Sequence, residues 1–228
     1  MGFPASVAAG VLLAAVALAG QVGAHEMPKA AAPRMEFTPP PAGSYALPPI
    51  QPAPAGPVID AKGRRGELAT FVTGKVTLLS LFYAQCADPL GCPLAFDTMA
   101  GLRDRLLRKQ GLRDRVRLVS LSFDPAHDTP ALLDAFGDHF AATKIQWSFL
   151  TGASPLAIAP ILDGFGQDIA VESDGDDASP RIINHVLKLF LIDPRGMVRE
   201  IYTTAFLLPE VVYNDIMTLL IEDGVAAR

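Results

Sequence analysis

Two cysteines and a distant histidine are the residues of this chain best suited to chemistry. Cys86 and Cys92 are its only cysteines, and five residues separate them. Cys92 directly precedes Pro93, a residue favoured in the first turn of a helix, so helix N–H groups and the helix dipole should help its thiol to ionise. A thiolate pair of this kind either cycles between dithiol and disulfide or binds a soft metal ion.

His185 is the candidate third member of such a site. It starts the mainly apolar run 186–192, which predicts a strand with the histidine at its beginning. Two sulfurs and one imidazole nitrogen would suit copper and also zinc. The plainer interpretation is a structural disulfide between Cys86 and Cys92, with the histidine at the surface, and the residue types alone leave both open.

The elements around these residues are predicted from apolar patterning and turn residues. A short apolar run over 76–83 indicates a buried strand, and the loop 84–92 joins it to a helix that runs from Pro93 towards Gly111. A hairpin is predicted around 61–63 and a polar loop over 172–180. The remaining predictions are strands at 116–123, 147–150, 185–192 and 197–202, and helices at 130–140, 154–164 and 209–222.

This order of elements predicts an α/β domain. Strand–helix–strand units require parallel, right-handed crossovers, and the last two strands add antiparallel pairs. The predicted fold is a thioredoxin-like mixed sheet flanked by helices, with an N-terminal hairpin. In that arrangement the cysteines follow the first core strand, at the carboxyl edge of the sheet, where reactive groups are commonly placed.

The first 45 residues predict export and tethering rather than a further domain. Residues 1–24 contain no Asp, Glu, Lys or Arg and end in small residues, as a secretory signal cleaved after Ala24 would. An uncleaved anchor is the alternative, and it would be the only expected membrane contact. Ten of the 20 prolines fall between Pro28 and Pro57, so residues 25–45 are predicted to form a tether before a single domain at 46–228.

Composition excludes one class of partner. The formal net charge is −5 and half of the residues are hydrophobic, which fits a domain with a sizeable core. The sequence lacks the clustered lysine and arginine of nucleic-acid-binding proteins, so no nucleic acid partner is expected.

Four segments in this order resemble the motifs of the SCO/SenC family. Residues 120–130, SLSFDPAHDTP, look like that family's S-x-DP-x-x-DTP signature, and Trp147 followed by LTG at 150–152 is similar to its W-x-x-LTG element. Asn184 and His185, followed by LIDPRG at 191–196, resemble the region that carries the family's histidine ligand. Residues 83–93 occupy the place of its cysteine motif, and the resemblance extends over roughly residues 45–222.

The resemblance implies a copper chaperone with a thioredoxin fold that helps to assemble the binuclear copper centre of cytochrome c oxidase. Carried over by position, the metal ligands are Cys86, Cys92 and His185, the bound metal is copper as Cu+ or Cu2+, and the cysteines also act as a redox pair. The implied partners are a copper-accepting client, such as a cytochrome c oxidase subunit, and a thiol reductase. The implied location is periplasmic or exported, at the outer face of the inner membrane if the chain is tethered.

Two departures from the family pattern concern the site. The family usually has three residues between its cysteines, whereas this chain has five, although Pro89 and Gly91 allow a turn that brings the sulfurs together. The residue before the histidine is Asn184 where the family has aspartate. Three hypotheses stay open: a copper-delivering assembly factor, a thiol–disulfide oxidoreductase that uses Cys86 and Cys92 without obligatory copper, and a binding module with a structural disulfide.

Overall fold

The computed structural model describes residues 33–109, 111–140, 145–175 and 181–224. The strands in this part of the chain are β1 (Gln51–Pro52), β2 (Pro57–Asp60), β3 (Arg65–Glu67), β4 (Val76–Phe82), β5 (Val116–Ser122), β6 (Trp147–Thr151), β7 (Ile169–Ser173), β8 (Ile182–His185), β9 (Leu189–Ile192) and β10 (Met197–Tyr202). The helices are α1 (Leu68–Val72), α2 (Cys92–Leu107), α3 (Pro130–Asp138), α4 (Pro155–Gly164) and α5 (Pro209–Glu222), with a 3₁₀ helix at Thr204–Phe206. No helix among these residues is long and apolar enough to cross a membrane.

Eight of the strands form one mixed sheet in the order β1-β10-β9-β4-β5-β6-β2-β3. β4, β5 and β6 are parallel neighbours, and the other pairs in this sheet are antiparallel. β7 and β8 form a separate antiparallel ribbon. The predicted fold, a thioredoxin-like mixed sheet flanked by helices with the N-terminal hairpin β2–β3, is confirmed.

The two central strands are buried along their whole length. Every residue of β4 and of β5 is buried, and the strands pair in parallel register over seven positions. A parallel sheet is covered by helices on both faces, so its strands need apolar side chains on both. Accordingly, one hydrophobic cluster includes residues of α1, α3 and α4, and a second includes half of the buried residues of α2 and most of those of α5.

Prolines and hydroxyl caps determine where the helices begin. Pro130 and Pro155 lie in the first turns of α3 and α4, where the missing N–H removes no helical hydrogen bond. Thr129 and Ser154 precede them as N-caps, and each side-chain oxygen accepts a backbone N–H from three residues later. These helix starts were predictable because both signals are local.

The predicted strand at 185–192 is wrong in one respect, since two strands cover this stretch. β8 ends at His185 and β9 begins at Leu189, with the exposed Val186 between them. β8 pairs with β7, part of which falls in the segment predicted to be a polar loop. Both ribbon strands are mostly exposed and therefore lack the apolar pattern of a buried strand.

The domain boundaries stay predictions. The predicted signal, residues 1–24, and the first part of the predicted tether lie outside the described residues. Within the described part, the end of the tether segment contacts α5: Gly43 N–H donates to Thr218 Oγ1 at 2.9 Å, and the Tyr45 hydroxyl donates to Asp215 at 2.5 Å. A free tether would therefore have to end before these contacts.

Candidate metal centre

The cysteine loop joins the end of β4 to the start of α2 through a tight turn. Gly91 N–H donates to the Asp88 carbonyl at 2.9 Å, and the Asp88 side chain accepts Leu90 N–H at 3.0 Å. A Cβ on Gly91 would lie 3.2 Å from Cys86 Sγ, so a larger residue at this position would press on the sulfur. The five residues between the cysteines thus fold back and bring Cys86 to Cys92, the first residue of α2.

His185 reaches this loop from the last position of β8. Its ring packs against Tyr83, with ring centroids 5.7 Å apart, and against Phe123, with centroids 4.9 Å apart. A ring nitrogen of His185 and the Sγ atoms of Cys86 and Cys92 all lie within 4.8 Å of one another. No other three His, Cys, Asp or Glu side chains form such a group within the part of the chain that the structure covers.

The hydrogen bond of the histidine ring defines its tautomer. His185 Nδ1 lies 2.8 Å from the carbonyl oxygen of Ile183, which can only accept, so Nδ1 carries the proton. His185 Nε2 is buried and has no hydrogen-bond partner. In a neutral ring Nε2 then presents a free lone pair beside the two sulfurs, as a metal-ligating histidine does.

The two thiols ionise at different pH values. A hydrogen bond from the Cys92 thiol, helped by the backbone N–H groups of Cys92 and Asp88, lowers the pKa of Cys86 to about 6 in spite of burial. Burial, reinforced by the neighbouring Cys86 sulfur, raises the pKa of Cys92 well above its ordinary value. The pair therefore shares one proton near neutral pH, with the thiolate at Cys86. The expectation that Cys92 ionises readily is wrong, because burial and the neighbouring Cys86 sulfur raise its pKa.

The structure brings together all three residues that the sequence singled out. Two atoms bound to one metal ion at 2.0–2.3 Å lie at most about 4.6 Å apart, so small side-chain adjustments would suffice to chelate an ion. Two thiolates and a neutral imidazole form a donor set for a soft or borderline metal such as copper or zinc. Sequence reasoning missed Tyr83 and Phe123, whose only signal is an aromatic residue directly after each buried central strand.

A buried carboxylate supports the start of the cysteine loop. Asp128 Oδ2 accepts Ala84 N–H at 3.0 Å and the Ser122 hydroxyl at 2.5 Å. Asp128 is almost completely buried, and this burial raises its pKa to about 6 despite the two hydrogen bonds. The end of β4 is thereby linked to the turn that follows β5.

This carboxylate predicts a pH dependence of stability. Because the folded-state pKa of Asp128 lies above its ordinary value of 3.8, the folded protein takes up this proton more readily than the unfolded chain. The stabilisation that protonated Asp128 gives to the folded protein is complete below pH 3.8 and is lost as the pH rises through about 6. A shift of this size corresponds to about 3 kcal/mol in the free energy of unfolding.

Denaturant unfolding between pH 4 and 7 measures this effect against Asp128→Asn, whose amide oxygen still accepts both hydrogen bonds but does not titrate. Relative to the variant, wild-type protein should gain stability as the pH falls below about 6. A stability difference that stays constant over this range would contradict the prediction.

Known proteins are similar to this chain over most of its length. The model of the SCO1/SenC family matches residues 58–220. The SCO1 protein homolog of Bacillus subtilis strain 168 is 27% identical over 145 residues, which cover 64% of this chain and 69% of that protein.

Solved structures share the fold. Copper-bound ScoI of Arabidopsis thaliana matches with a TM-score of 0.62 at 20% identity and covers 74% of this chain and 97% of that chain. A SCO1/SenC family lipoprotein of Bacillus anthracis matches with a TM-score of 0.64 at 23% identity and covers 77% of this chain and 99% of that chain. At these identities the structural likeness establishes the architecture, and the chemistry has to be argued from the site itself.

Proposed function

This chain belongs to the SCO1/SenC family, and from that premise we propose that it is a copper carrier. Its cargo is one copper ion, bound by Cys86, Cys92 and His185 and passed to a client protein during assembly of a respiratory copper centre. The Sco family is one of cytochrome c oxidase assembly proteins, which supports a subunit of that enzyme as the client. The copper-bound state of a relative with the same fold supports copper as the metal.

The observation that carries the proposal is the free nitrogen of His185. Nε2 is buried without a hydrogen-bond partner, while Nδ1 is engaged by the Ile183 carbonyl. A buried polar atom without a partner costs free energy, and a bound ion beside the two sulfurs would satisfy it. A structural disulfide alone would give this nitrogen no role.

The different pKa values of the two thiols define the order in which the ligands bind copper. Cys86 is largely thiolate at neutral pH and offers the first bond to copper. Cys92 keeps its proton until the metal arrives, because burial raises its pKa, and copper then displaces that proton. In the neutral tautomer with the proton on Nδ1, His185 would complete the site through Nε2 without releasing a proton.

Redox state would act as the switch for binding. Joining the two Sγ atoms in a disulfide releases two electrons, which reduce the disulfide of a partner to a dithiol, and it removes both thiolate ligands. A thiol reductase that supplies two electrons restores the dithiol and the site. Transfer to the client would proceed by stepwise exchange of the three ligands for those of the acceptor.

Location follows from the same proposal. A lipoprotein in the family supports an exported protein held at a membrane. We place this chain in the periplasm or outside the cell, with residues 1–24 as the signal, the domain at 46–228, and between them the tether of residues 25–45, whose free part ends before the contacts of Gly43 and Tyr45 with α5. With residues 1–24 kept as an uncleaved anchor, such a tether would let the domain reach a client in the same membrane.

Copper titration tests the proposal directly. The reduced, metal-free protein is titrated without oxygen with Cu(I) against a competing chelator, and we expect one ion per chain. Cys86→Ala and Cys92→Ala should each lose at least about a hundredfold in affinity. His139→Ala is the matched control, because that exposed ring bonds only the Ala135 carbonyl on its own helix. Wild-type affinity no greater than that of Cys86→Ala would rule the proposal out.

The asymmetry of the thiols also favours a second candidate function, thiol–disulfide exchange without obligatory copper. A thiolate beside a protonated, more deeply buried thiol is the arrangement of an attacking and a resolving cysteine. Turnover of a disulfide substrate by copper-free protein would support this function, and its absence at catalytic protein concentrations would oppose it.

A further inference from the structure

His185 stands on a ribbon that the main sheet does not hold in place. Within the described residues, β7 and β8 pair only with each other. Ile183 is the one buried residue of these two strands. The position of the imidazole therefore depends on contacts between the ribbon and the rest of the domain and on the short link from His185 to β9.

Arg181, directly before β8, makes the strongest of these contacts. Its buried guanidinium donates from Nε to Asp124 Oδ2 at 2.7 Å, and Nη2 lies 3.4 Å from Asp124 Oδ1. Nη1 binds Asp174, the residue after β7. One guanidinium thus joins the two strand ends that flank the connecting loop of the ribbon to a single carboxylate, a geometry that the planar fork of arginine provides and lysine does not.

Asp124 is itself held firmly, so it can serve as an anchor. It lies in the turn after β5 and is 4% exposed. Its N–H donates to Ser122 Oγ at 3.0 Å, and its carbonyl accepts the N–H groups of His127 at 3.1 Å and Asp128 at 2.8 Å. The side chain therefore projects from a closed turn at the edge of the most buried part of the sheet.

The same turn contacts both halves of the site. Phe123 packs on the ring of His185, and the adjacent Asp124 binds Arg181 at the loop end of the ribbon. Asp128, at the end of the turn, holds the cysteine loop through Ala84 N–H. Residues of one turn thus contact the imidazole, the ribbon and the cysteine loop.

We propose that the Asp124–Arg181 ion pair positions His185, holding the ribbon so that the imidazole stays beside the two sulfurs. The role in copper binding rests on the proposed function, whereas the placement of the ring does not. Removing one partner of a buried ion pair leaves the other charge uncompensated. The lightly packed ribbon should then open locally while the central sheet stays closed.

Hydrogen–deuterium exchange of the full-length, reduced, metal-free protein tests the positioning role. In Arg181→Met, amides of β7 and β8 should exchange at least about tenfold faster than in wild type, the size expected from losing hydrogen bonds to a charged group. Amides of β4 and β5 should still exchange more slowly than those of the ribbon, in the same order as in wild type. In the same sample, the NMR signals of the His185 ring should lose the pattern of a single fixed tautomer.

Arg199→Met is the matched control. Arg199 also pairs with a buried aspartate, Asp193, at 2.9 Å, and both side chains are as buried as those of the first pair. In Arg199→Met, Asp193 still has Arg195 as a partner, just as Asp124 still has His127 in Arg181→Met. This pair follows β9 at the end of the sheet where β4 begins, away from the cysteine loop. The control should lose stability without selective exchange in the ribbon.

Further variants separate the loss of the Asp124–Arg181 contact from the effect of leaving one buried charge unpaired. The double variant Asp124→Asn with Arg181→Met removes both charges, so it should regain stability while its ribbon still exchanges fast. Arg181→Lys keeps the charge without the fork and should accelerate ribbon exchange less than Arg181→Met. If Arg181→Met fails to fold, the lysine variant carries the test. The positioning role would be overturned if the ribbon amides of Arg181→Met exchanged no faster than those of Arg199→Met. It would also be overturned if the amides of β4 were accelerated as much as those of the ribbon.

Copper loading distinguishes this inference from the proposed function. With Cu(II) bound, Arg181→Met should lose the nitrogen coupling of His185 in the electron paramagnetic resonance spectrum, while the sulfur ligands remain. If wild-type protein binds no copper and the ribbon still responds as expected, the proposed function fails and the positioning role stands. If copper binds and the nitrogen coupling persists in Arg181→Met, the positioning role fails.

Discussion

His185→Ala should lower the affinity for Cu(II) by at least about a hundredfold, and that for Cu(I) by about tenfold or less. The difference follows from the ligands that remain. Soft thiolates select Cu(I), whereas Cu(II) favours imidazole nitrogen among its ligands. Among the described residues His185 is the one histidine whose ring groups with the two sulfurs, and its Nε2 is buried without a hydrogen-bond partner.

The measurement compares both oxidation states in the same two proteins. Cu(II) is added below one equivalent without oxygen, and the thiols are counted after each addition, because two Cu(II) ions can take the two electrons of one dithiol and leave a disulfide and Cu(I). Competing chelators give the affinities, and the sulfur-to-Cu(II) absorption reports the bound state. His139→Ala should behave as wild type. Equal losses for Cu(I) and Cu(II) in His185→Ala would show that the imidazole is not a selective ligand for Cu(II).

The sheet and the cysteine loop were predictable because their signals are local. The apolar runs that became β4 and β5 are short and bounded by turn residues, and both proved buried throughout. Helix starts followed from proline and hydroxyl caps. Pro89 and Gly91 indicated a turn within the longer cysteine spacing, and the structure closes that turn between Asp88 and Gly91.

The histidine strand could be predicted only in part. His185 was singled out by residue type and by the resemblance of its segment, but its strand was assigned to the main sheet. The ribbon β7–β8 buries only Ile183, so its sequence carries no apolar alternation to reveal it. Arg181 and Asp124 meet across 57 positions of the chain, and no local pattern predicts such a contact.

The burial of Cys92 was the second property that the sequence could not predict. The position of Cys92 at a helix start was read correctly, since α2 begins there. The helix dipole lowers a thiol pKa by a limited amount, whereas complete burial raises it by more. Which effect wins depends on how many side chains close over the sulfur, and that is a property of the folded core.

Alkylation should therefore modify Cys86 first and Cys92 slowly. Because a thiolate is the reacting species and the pKa of Cys86 is about 6, its rate with iodoacetamide should reach half of its maximum near pH 6. Cys92 is more deeply buried and protonated, so it should react at least about a hundredfold more slowly at pH 7. Mass spectrometry of the peptides over time gives both rates.

Two substitutions at position 92 test the cause of this asymmetry. Cys92→Ala removes the thiol that donates to Cys86, so the pKa of Cys86 should rise towards its ordinary value. Cys92→Ser keeps a hydroxyl donor and the same backbone N–H, so it should leave the reactivity of Cys86 close to wild type. Equal reactivity profiles in the two variants would show that the side chain at position 92 does not control Cys86.

The same asymmetry decides how the site would work in either proposed function. A copper carrier needs Cys86 charged before the metal arrives and Cys92 able to lose its proton to the metal, so saturating Cu(I) should protect both thiols from alkylation. An oxidoreductase needs Cys86 to form a mixed disulfide that Cys92 then resolves, so Cys92→Ala should accumulate that adduct on Cys86. Protection without an adduct supports metal carriage, and an adduct without protection supports disulfide exchange.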